Sequence, residues 1–164
     1  AAAGPAVAAE PVSHTRLLTV LDTLERRGPD AYGSAEADLP LLLDWFGAFS
    51  RETGQPGGPS ETGLRDRLSY GGVLLRERAG RPVAMAGFFR VIGSAARVGP
   101  VYTPPGLRGR GYAAGVTHAV SEAAYAAGAA EVLLFTDPAD ATGNGVHRRL
   151  GYAPVEDRVE VAAV

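Results

Sequence analysis

Residues 97–113 (RVGPVYTPPGLRGRGYA) decide the expected fold, because they join a strand to a helix through a turn rich in Gly, Pro and Arg. Within the strand, Gly99-Pro100 predicts a bulge or a break in pairing, since proline has no N–H for the ladder and glycine weakens a strand. Such a break frees the main chain of Val101, Tyr102 and Thr103 to pair with an extended, amide-containing ligand. Taken alone, this feature fits an ordinary edge strand better.

The turn Arg108-Gly109-Arg110-Gly111 leads into a helix that begins at Tyr112-Ala113. The unpaired N–H groups and the dipole of a helix N-terminus attract anions, especially phosphates. Glycines let the backbone approach a ligand closely, and arginines supply charge and donors. The glycine spacing differs from the G-x-G-x-x-G dinucleotide fingerprint. Most such turns are solvated loops, but the position between a broken strand and a helix favours a phosphate site.

The helix after this turn is built from small residues, and Gly115 within it costs roughly 1 kcal/mol relative to alanine. We therefore expect a packing reason for Gly115. Small residues let the helix lie close on the sheet, which brings its N-terminus to the carboxyl ends of parallel strands, where ligands bind. GC-rich codon usage is the alternative explanation for the alanines.

The whole sequence predicts an α/β (α+β) fold, with a mixed, largely antiparallel sheet, flanking helices and one parallel crossover. The 27 residues between Thr103 and Glu131 include a helix, which is long enough to join parallel strands. Helices are expected at residues 14–27, 39–50, 61–68, 112–127 and 142–150. Strands are expected at residues 73–78, 83–92, 95–103, 131–136 and 154–161.

The N-terminal part does not fit this pattern. Residues 26–34 (RRGPDAYGS) show no strand where the first strand of a small α/β domain is expected. We therefore predict an N-terminal helical segment over residues 1–33 and the main domain over residues 34–164. Either residues are missing between about Gly33 and Ser34, or the first helix belongs to a separate lobe. An intact mass of 16.9 kDa would exclude missing residues.

Composition excludes several classes of chemistry. The 164 residues, 46% of them hydrophobic, suit one globular domain. The absence of Cys excludes disulfides, Cys-ligated zinc and thiolate nucleophiles. All 16 basic residues are Arg, so lysine Schiff bases and lysine phosphate loops are also excluded. His14, His118 and His147 are far apart and predict no metal site, and we expect the first two to be structural.

Charge and hydropathy narrow the partners. A formal charge of −2 argues against nucleic acid as a partner. No apolar run approaches the roughly 18 residues of a membrane span, so no membrane partner is expected. The Ala-rich start lacks the basic leader of a signal peptide, and we expect a cytoplasmic protein.

Residues 107–113 resemble the pyrophosphate-binding signature R/Q-x-x-G-x-G/A of the GNAT-type (GNAT superfamily) N-acetyltransferases, here Arg108-x-x-Gly111-x-Ala113. The preceding VGPVYT strand resembles the fourth strand of that family. NGVHRRLGY at residues 144–152 is similar to the family's N-x-x-Y-x-x-x-G-[FY] helix and exit. The resemblance covers most of residues 35–161, but not 1–33, and implies a GNAT-like fold with acetyl-CoA as co-substrate.

By this resemblance, the main chain of residues 101–103 contacts the pantetheine arm, and residues 108–113 hold the pyrophosphate. Asn144 reaches the cofactor, although capping of its own helix is equally open. His147 stands where the family often has a Tyr that gives a proton to the departing coenzyme A thiolate. Asn144 and His147 share a helix face, and an imidazole with an ordinary pKa near 6.5 can donate a proton. An exposed, inert His147 is the alternative.

The implied reaction is direct attack of an unprotonated amine, on a small molecule or a peptide, at the thioester, without a covalent enzyme intermediate. A backbone N–H near residues 101–103 would stabilise the oxyanion. The base is undefined, with Glu77, Tyr102, Asp137 or a water relay as candidates. The main alternative is a non-catalytic acyl-CoA-binding or regulatory module, and a phosphate-binding domain of another fold is more distant. The last strand offers pairing across a possible homodimer.

Overall fold

The computed structural model describes residues 11–20, 31–55, 58 and 60–161. Its strands are β1 (Pro11–Val20), β2 (Ala31–Gly33), β3 (Val73–Arg78), β4 (Arg81–Phe88), β5 (Ala95–Tyr102), β6 (Glu131–Thr136) and β7 (Tyr152–Val161). Its helices are α1 (Leu39–Thr53), α2 (Glu61–Ser69), α3 (Tyr112–Ala126) and α4 (Ala141–Arg149). Single 3-10 turns at Glu36–Asp38 and Pro105–Leu107 precede α1 and follow β5.

The strands form one seven-stranded sheet in the order β2-β3-β4-β5-β6-β1-β7, counted over the described residues. Every neighbouring pair is antiparallel except β5 and β6, which are parallel and are joined by a crossover that contains α3. The predicted fold, a mixed and largely antiparallel α/β sheet with a parallel crossover, is therefore confirmed.

The two faces of the sheet are buried under different helices. On one face, Leu42 and Phe46 of α1 pack with Leu75 and Met85 of the central strands. On the other face, α3 presents its own apolar stripe to β4, β5 and β6. The core on that side includes Ala84, Ala86, Val98, Val116, Val120, Val132 and Leu134. Because β4 is buried on both faces, it reads as a nearly continuous run of small and apolar residues.

Within residues 39–161, every predicted helix and strand is present, with bounds shifted by a few residues. The strand predicted at residues 131–136 has those bounds. The long strand predicted over residues 83–92 ends at Phe88. Asp38 is the N-cap residue of α1, as its position before Leu39-Pro40 predicts, but its side chain does not cap that helix. It accepts a hydrogen bond from the Ala35 N–H at 2.7 Å in the preceding turn.

The helix predicted over residues 14–27 is wrong in its first half, because residues 14–20 belong to β1. β1 lies between β6 and β7 and is antiparallel to both. Short apolar runs fit a helix and a strand equally well, and the partners that make this segment a strand lie more than 100 residues later. The second half of the predicted helix, residues 21–27, lies outside the described residues.

The prediction that no strand lies directly before α1 is also wrong. Residues 31–33 form β2, a three-residue edge strand that pairs with β3. β1 belongs to the same sheet as β2–β7, so residues 11–20 do not belong to a separate lobe. The rest of the predicted domain boundary, and the predicted absence of residues near Gly33, stay predictions that intact mass can check.

No helix in the described ranges is long and apolar enough to cross a bilayer. The longest, α1 and α3, have 15 residues each, against the ~20 that a membrane span needs.

Candidate functional site

A gap opens between β5 and β6 at Gly99-Pro100. The parallel register of β5 with β6 ends at the pair Val98↔Leu134, although β5 continues to Tyr102. On its other side, β5 pairs again with β4 at Ala86↔Val101 after a register shift. The predicted bulge and break in pairing are therefore confirmed. Beyond Val98, the main chain of β5 is therefore paired with β4 on one side and is no longer paired with β6 on the other.

The N-terminus of α3 lies just beyond the end of β5. Gly111 is the N-cap residue of α3 and has a left-handed φ of 79°. Gly109 also has a positive φ, of 78°. A Cβ built at either glycine has no heavy atom within 4 Å, so the space beside both is open. No side chain caps the helix, and its first N–H groups therefore point to a free end that suits an anion.

Arg76 of β3 holds the N-terminus of α3 against the sheet through two hydrogen bonds. Its Nη1 donates to the carbonyl oxygens of Gly111 at 2.9 Å and Tyr112 at 3.2 Å, and only 6% of the residue is exposed. A Cβ at Gly115 would lie 2.3 Å from that same nitrogen and 2.7 Å from the Tyr32 hydroxyl. The packing reason predicted for Gly115 is therefore this buried guanidinium. Tyr112 lies beside it, with the Arg76 guanidinium carbon 5.1 Å from its ring centre.

The arginines of the turn differ in their contacts. Arg108 donates from Nε to the Thr103 carbonyl at 2.8 Å and from Nη2 to Glu52 at 2.6 Å. Its side chain therefore joins the turn to the end of β5 and to α1, and its predicted role on a pyrophosphate stays a prediction. Arg110 is exposed and forms no ion pair with the residues described. It remains the side chain of this turn that is available for an anion.

Asn144 of α4 lies at the end of β6. Its Nδ2 donates to the Asp137 carbonyl at 2.8 Å, whereas the helix is capped by Asp140, which accepts from the Gly143 N–H. The alternative that Asn144 caps its own helix is therefore wrong. Its Oδ1 is buried and has no hydrogen-bond partner among the described residues.

His147, one turn further along α4, packs edge-on against the Tyr152 ring, with centroids 5.8 Å apart. Burial lowers its pKa from 6.5 to about 4, and Asp140 offsets only part of this. The imidazole is therefore neutral at pH 7, and its buried Nδ1 has no partner in the described part of the chain. His147 is therefore not fully exposed, and its role as a proton donor stays a prediction.

The lowered pKa of His147 predicts that the stability of the fold depends on pH. A histidine whose pKa is lower in the folded state stabilises the fold above pH 6.5, and this contribution is lost as the pH falls towards 4. We expect the free energy of unfolding to decrease by up to about 3 kcal/mol from this group between pH 7 and pH 4. Urea unfolding of the parent and of His147→Phe at several pH values measures this. Equal pH dependence in the two proteins would contradict it.

Tyr102 lies at the end of β5 with its ring turned towards α1. It is 7% exposed, and its ring centre lies 5.9 Å from that of Trp45 and 5.7 Å from the Arg108 guanidinium carbon. Burial raises the pKa of Tyr102, and the nearby Glu52 carboxylate raises it further. The phenol therefore stays protonated at neutral pH, which suits a hydrogen-bond or proton donor better than a base.

The other candidate bases lie further from the gap. Glu77 lines a cavity of about 270 Å³ at the edge formed by β2 and β3, together with Tyr32 and Asp38. Two strands separate that edge from the gap beyond β5. Asp137 follows β6 directly and is exposed, and its Oδ1 accepts from the Ala139 N–H at 2.9 Å. Of these two carboxylates, only Asp137 adjoins the gap.

Three buried polar atoms near the gap lack a partner within the described chain: Thr103 Oγ1, Asn144 Oδ1 and His147 Nδ1. They come from the end of β5 and from the α4 helix that follows β6. Unpaired buried polar atoms are costly, and a native structure usually satisfies them with water or a ligand. A polar ligand in this gap would satisfy them. The remaining histidines lie elsewhere, His118 within α3 beside Glu122 and His14 in β1.

Two residues of this region were not singled out from the sequence. Arg76 stands in the strand VLLRER, where its alternation with Leu75 and Glu77 gives no sign that it is buried under Gly115. Arg67 of α2 donates from Nη1 to the carbonyl of Gly99, at the bulge, at 2.8 Å. An arginine on a short polar helix carries no local signal of such a contact, because the partner lies 32 residues away. Among the described residues, no cluster of three or more His, Asp or Glu could hold a metal.

The sheet, the gap between parallel strands and the glycine-lined helix end together form one candidate ligand site. The sequence model of the acetyltransferase (GNAT) family matches residues 39–152, which is more than half of the chain. The chain therefore belongs to the GNAT acetyltransferase family. No curated protein matches the sequence.

Solved structures show the same fold. A GCN5-related N-acetyltransferase from Kribbella flavida has 24% identity and a TM-score of 0.70 over 92% of this chain and 58% of its own. A GNAT-family acetyltransferase from Novosphingobium aromaticivorans has 22% identity and a TM-score of 0.69, over 92% and 65%. An acetyltransferase with acetyl-CoA from Clostridium acetobutylicum has 16% identity and a TM-score of 0.62, over 82% and 96%. The chain thus spans less than two thirds of the first two proteins.

Proposed function

We propose that this chain is an acetyl-CoA-dependent N-acetyltransferase that transfers an acetyl group to an amine by direct attack. The observation that carries the proposal is the end of β5–β6 pairing at Val98↔Leu134, directly before the open, glycine-lined N-terminus of α3. Such a gap offers main-chain groups to an extended amide arm, and the helix end offers N–H groups to a diphosphate.

The residues around the gap fit this co-substrate. The main chain of Val101, Tyr102 and Thr103 would hold the pantetheine arm. Gly109, Gly111, Tyr112 and Ala113, with the exposed Arg110, would hold the pyrophosphate. The unpartnered Thr103 Oγ1 and Asn144 Oδ1 supply further polar contacts at the gap. When bound, acetyl-CoA supplies a thioester carbonyl as the electrophile, and no thiol of the protein is needed.

The polar groups of the chain have distinct tasks in this proposal. A main-chain N–H of residues 101–103 would stabilise the oxyanion, since such donors act strongly in a site that excludes water. His147 is neutral at pH 7, so it would first donate a hydrogen bond. As the C–N bond forms, the attacking amine would lose one proton, and as the C–S bond breaks, the departing thiolate would gain one. His147 would pass that proton between them, because the negative thiolate raises the pKa of the imidazole while it is present. Tyr102, held protonated by burial, is the second donor at this end of β5.

His147→Phe tests the proton-donor proposal. We expect turnover to fall by about 10- to 100-fold, the usual range for loss of one acid–base group, while the Kd for acetyl-CoA stays within threefold. Phenylalanine keeps the ring contact with Tyr152 and removes both nitrogens. Turnover and calorimetric affinity are measured on the same preparation. Unchanged turnover would remove His147 from the mechanism.

The absence of cysteine gives a direct assay of the whole proposal. Released coenzyme A carries a thiol, and the protein contributes none, so a thiol reagent reports turnover without background from the enzyme. Amines, polyamines, aminoglycosides and peptide N-termini are the first acceptors to test. Thiol release that depends on both acetyl-CoA and an amine supports the proposal. Acetyl-CoA binding without transfer to any amine would favour the alternative, a non-catalytic acyl-CoA-binding or regulatory module.

Two properties of the protein stay predictions, its location and its oligomeric state. A cytoplasmic location is one of them. The other is the homodimer, for which β7 provides an outer strand of the sheet. Sedimentation of the purified protein would test the homodimer.

A further inference from the structure

Arg67 occupies an unusual position beside the gap. Its guanidinium carbon lies 3.9 Å from the ring centre of Phe89 and 5.6 Å from that of Phe46, and its Nη1 donates to the Gly99 carbonyl. A Cβ at Gly87 would lie 2.9 Å from this nitrogen, so the absence of a side chain there makes room for the guanidinium. The helix α2 thereby delivers a positive charge to the bulge of β5, on the face opposite α3.

This charge has no counter-ion within the described chain. Other arginines nearby are paired, Arg65 with Glu61 and Arg90 with Asp66, whereas no ion pair of Arg67 occurs among the described residues. Only one of its five N–H donors has a hydrogen-bond partner there. Burial lowers the pKa of Arg67, as expected for a guanidinium that has lost water without gaining a carboxylate. An anion would relieve this cost.

Two more arginines continue the positive charge along the same face. The Arg97 guanidinium carbon lies 4.1 Å from the Phe89 ring centre, so it is at most about 8 Å from that of Arg67. Arg97 also lies 5.6 Å from the Phe135 ring centre, and Arg158 lies 5.8 Å from it. We call Arg67, Arg97 and Arg158, with the two rings between them, the arginine strip. Within the arginine strip, Arg158 forms an ion pair with Glu156.

The arginine strip adjoins the place proposed for the thioester. Arg67 is bonded to Gly99, and residues 101–103 follow two to four residues later, or about 7–13 Å along an extended strand. That spacing matches a small molecule that presents an anionic group at one end and an amine at the other. We infer that the acceptor is a small amine that also bears a carboxylate, which Arg67 binds. This inference rests on the proposed function and names its substrate class.

Matched acceptors test the inference on the parent protein. Each pair shares one amine and differs in the carboxylate, which lies at the opposite end of the molecule: lysine and cadaverine, 6-aminohexanoate and pentylamine, 4-aminobutyrate and propylamine. We expect at least one carboxylate-bearing acceptor to exceed its partner by about 10- to 100-fold in kcat/KM, the usual effect of a charged hydrogen bond. Turnover confined to the decarboxylated amines, or no turnover of the panel, overturns the inference.

Variants of Arg67 then separate substrate binding from support of the bulge. In Arg67→Ala we expect kcat/KM for carboxylate-bearing acceptors to fall by about 10- to 100-fold, and that for their neutral partners by less than threefold. Arg67→Lys keeps the charge and should retain part of the preference. Arg78→Ala, an exposed arginine at the β3–β4 turn, removes the same charge and should change neither value. An equal loss for both acceptors in Arg67→Ala would assign Arg67 a structural role and overturn the inference.

Acetyl-CoA affinity distinguishes the two levels of failure. If the parent and both Arg67 variants bind acetyl-CoA with the same Kd, the cofactor site is intact, and any loss of preference belongs to the acceptor site. Absence of acetyl-CoA binding in the parent would refute the proposed function itself, and with it the inference. Thermal unfolding of each variant confirms that the compared proteins are folded. Where Arg67→Ala does not fold, Arg67→Lys and the parent's preference between paired acceptors decide the matter.

Discussion

Gly111→Glu is expected to abolish acetyl-CoA binding, with a rise in Kd of at least about 100-fold. The new carboxylate would stand in the open space beside the N-terminus of α3, where the proposed site receives a diphosphate. Like charges brought together in this way cost several kcal/mol, and 100-fold corresponds to about 2.7 kcal/mol. Isothermal titration calorimetry with acetyl-CoA measures the change directly.

Gly128→Glu is the matched control for this prediction. Gly128 follows the other end of α3, also has a positive φ, of 103°, and also has open space around it. The same residue is therefore introduced with a similar backbone cost of about 1–2 kcal/mol, but far from the proposed diphosphate. We expect both variants to lose stability and only Gly111→Glu to lose affinity. Retained affinity in Gly111→Glu would exclude this helix end as the cofactor site, while Gly111→Ala reports the effect of backbone strain alone.

The part of the site that was predictable from sequence is the part that local chemistry decides. Gly99-Pro100 cannot support regular pairing whatever its neighbours are, so the bulge follows from the two residues themselves. The glycines at 109 and 111 have positive φ values for the same local reason. Asn144 was named as a site residue, but its hydrogen bond to the Asp137 carbonyl depends on how α4 returns to the end of β6.

The rest depends on partners that are distant in sequence. β1 is a strand because β6 and β7 lie on either side of it, more than 100 residues later, and nothing within residues 14–20 excludes a helix. β2 is three residues long and is defined only by its pairing with β3. His147 lies at a predicted site position, but its lowered pKa comes from burial, which the spacing of residues does not reveal.

Arg67 and Arg76 show the same limit for charged side chains. Charged residues on a short helix or at the end of a strand usually face water, so a sequence alone favours an exposed position for both. In the fold, glycines 87 and 115 clear the space into which the two guanidinium groups extend. Burial of each arginine is therefore indicated only by its pairing with a glycine on a different helix or strand. Neither residue indicates this burial from the sequence alone, because the two meet only in the folded protein.

Gly115→Ala is expected to destabilise the protein, although helix propensity alone predicts the opposite. Replacing a glycine inside a helix by alanine usually raises the free energy of unfolding by about 0.5–1 kcal/mol. Here the new methyl group would lie 2.3 Å from Arg76 Nη1, and that nitrogen is held by the carbonyls of Gly111 and Tyr112. Because Arg76 is buried, it can move only by giving up these hydrogen bonds. We expect a loss of about 1–3 kcal/mol, measured by urea unfolding at pH 7.

Gly145→Ala provides the comparison, since Gly145 also lies inside a helix. Its Cβ would meet only Arg149 Nη1, at an ordinary contact distance of 3.4 Å, so propensity should prevail and stability should rise by about 0.5–1 kcal/mol. If Gly115→Ala lowers the free energy of unfolding and Gly145→Ala raises it, the contact between Arg76 and Gly115 outweighs helix propensity. The same displacement should loosen the helix end that Arg76 holds, so Gly115→Ala should also weaken acetyl-CoA binding. A stabilised Gly115→Ala protein would mean that the buried arginine yields at little cost and does not fix the N-terminus of α3.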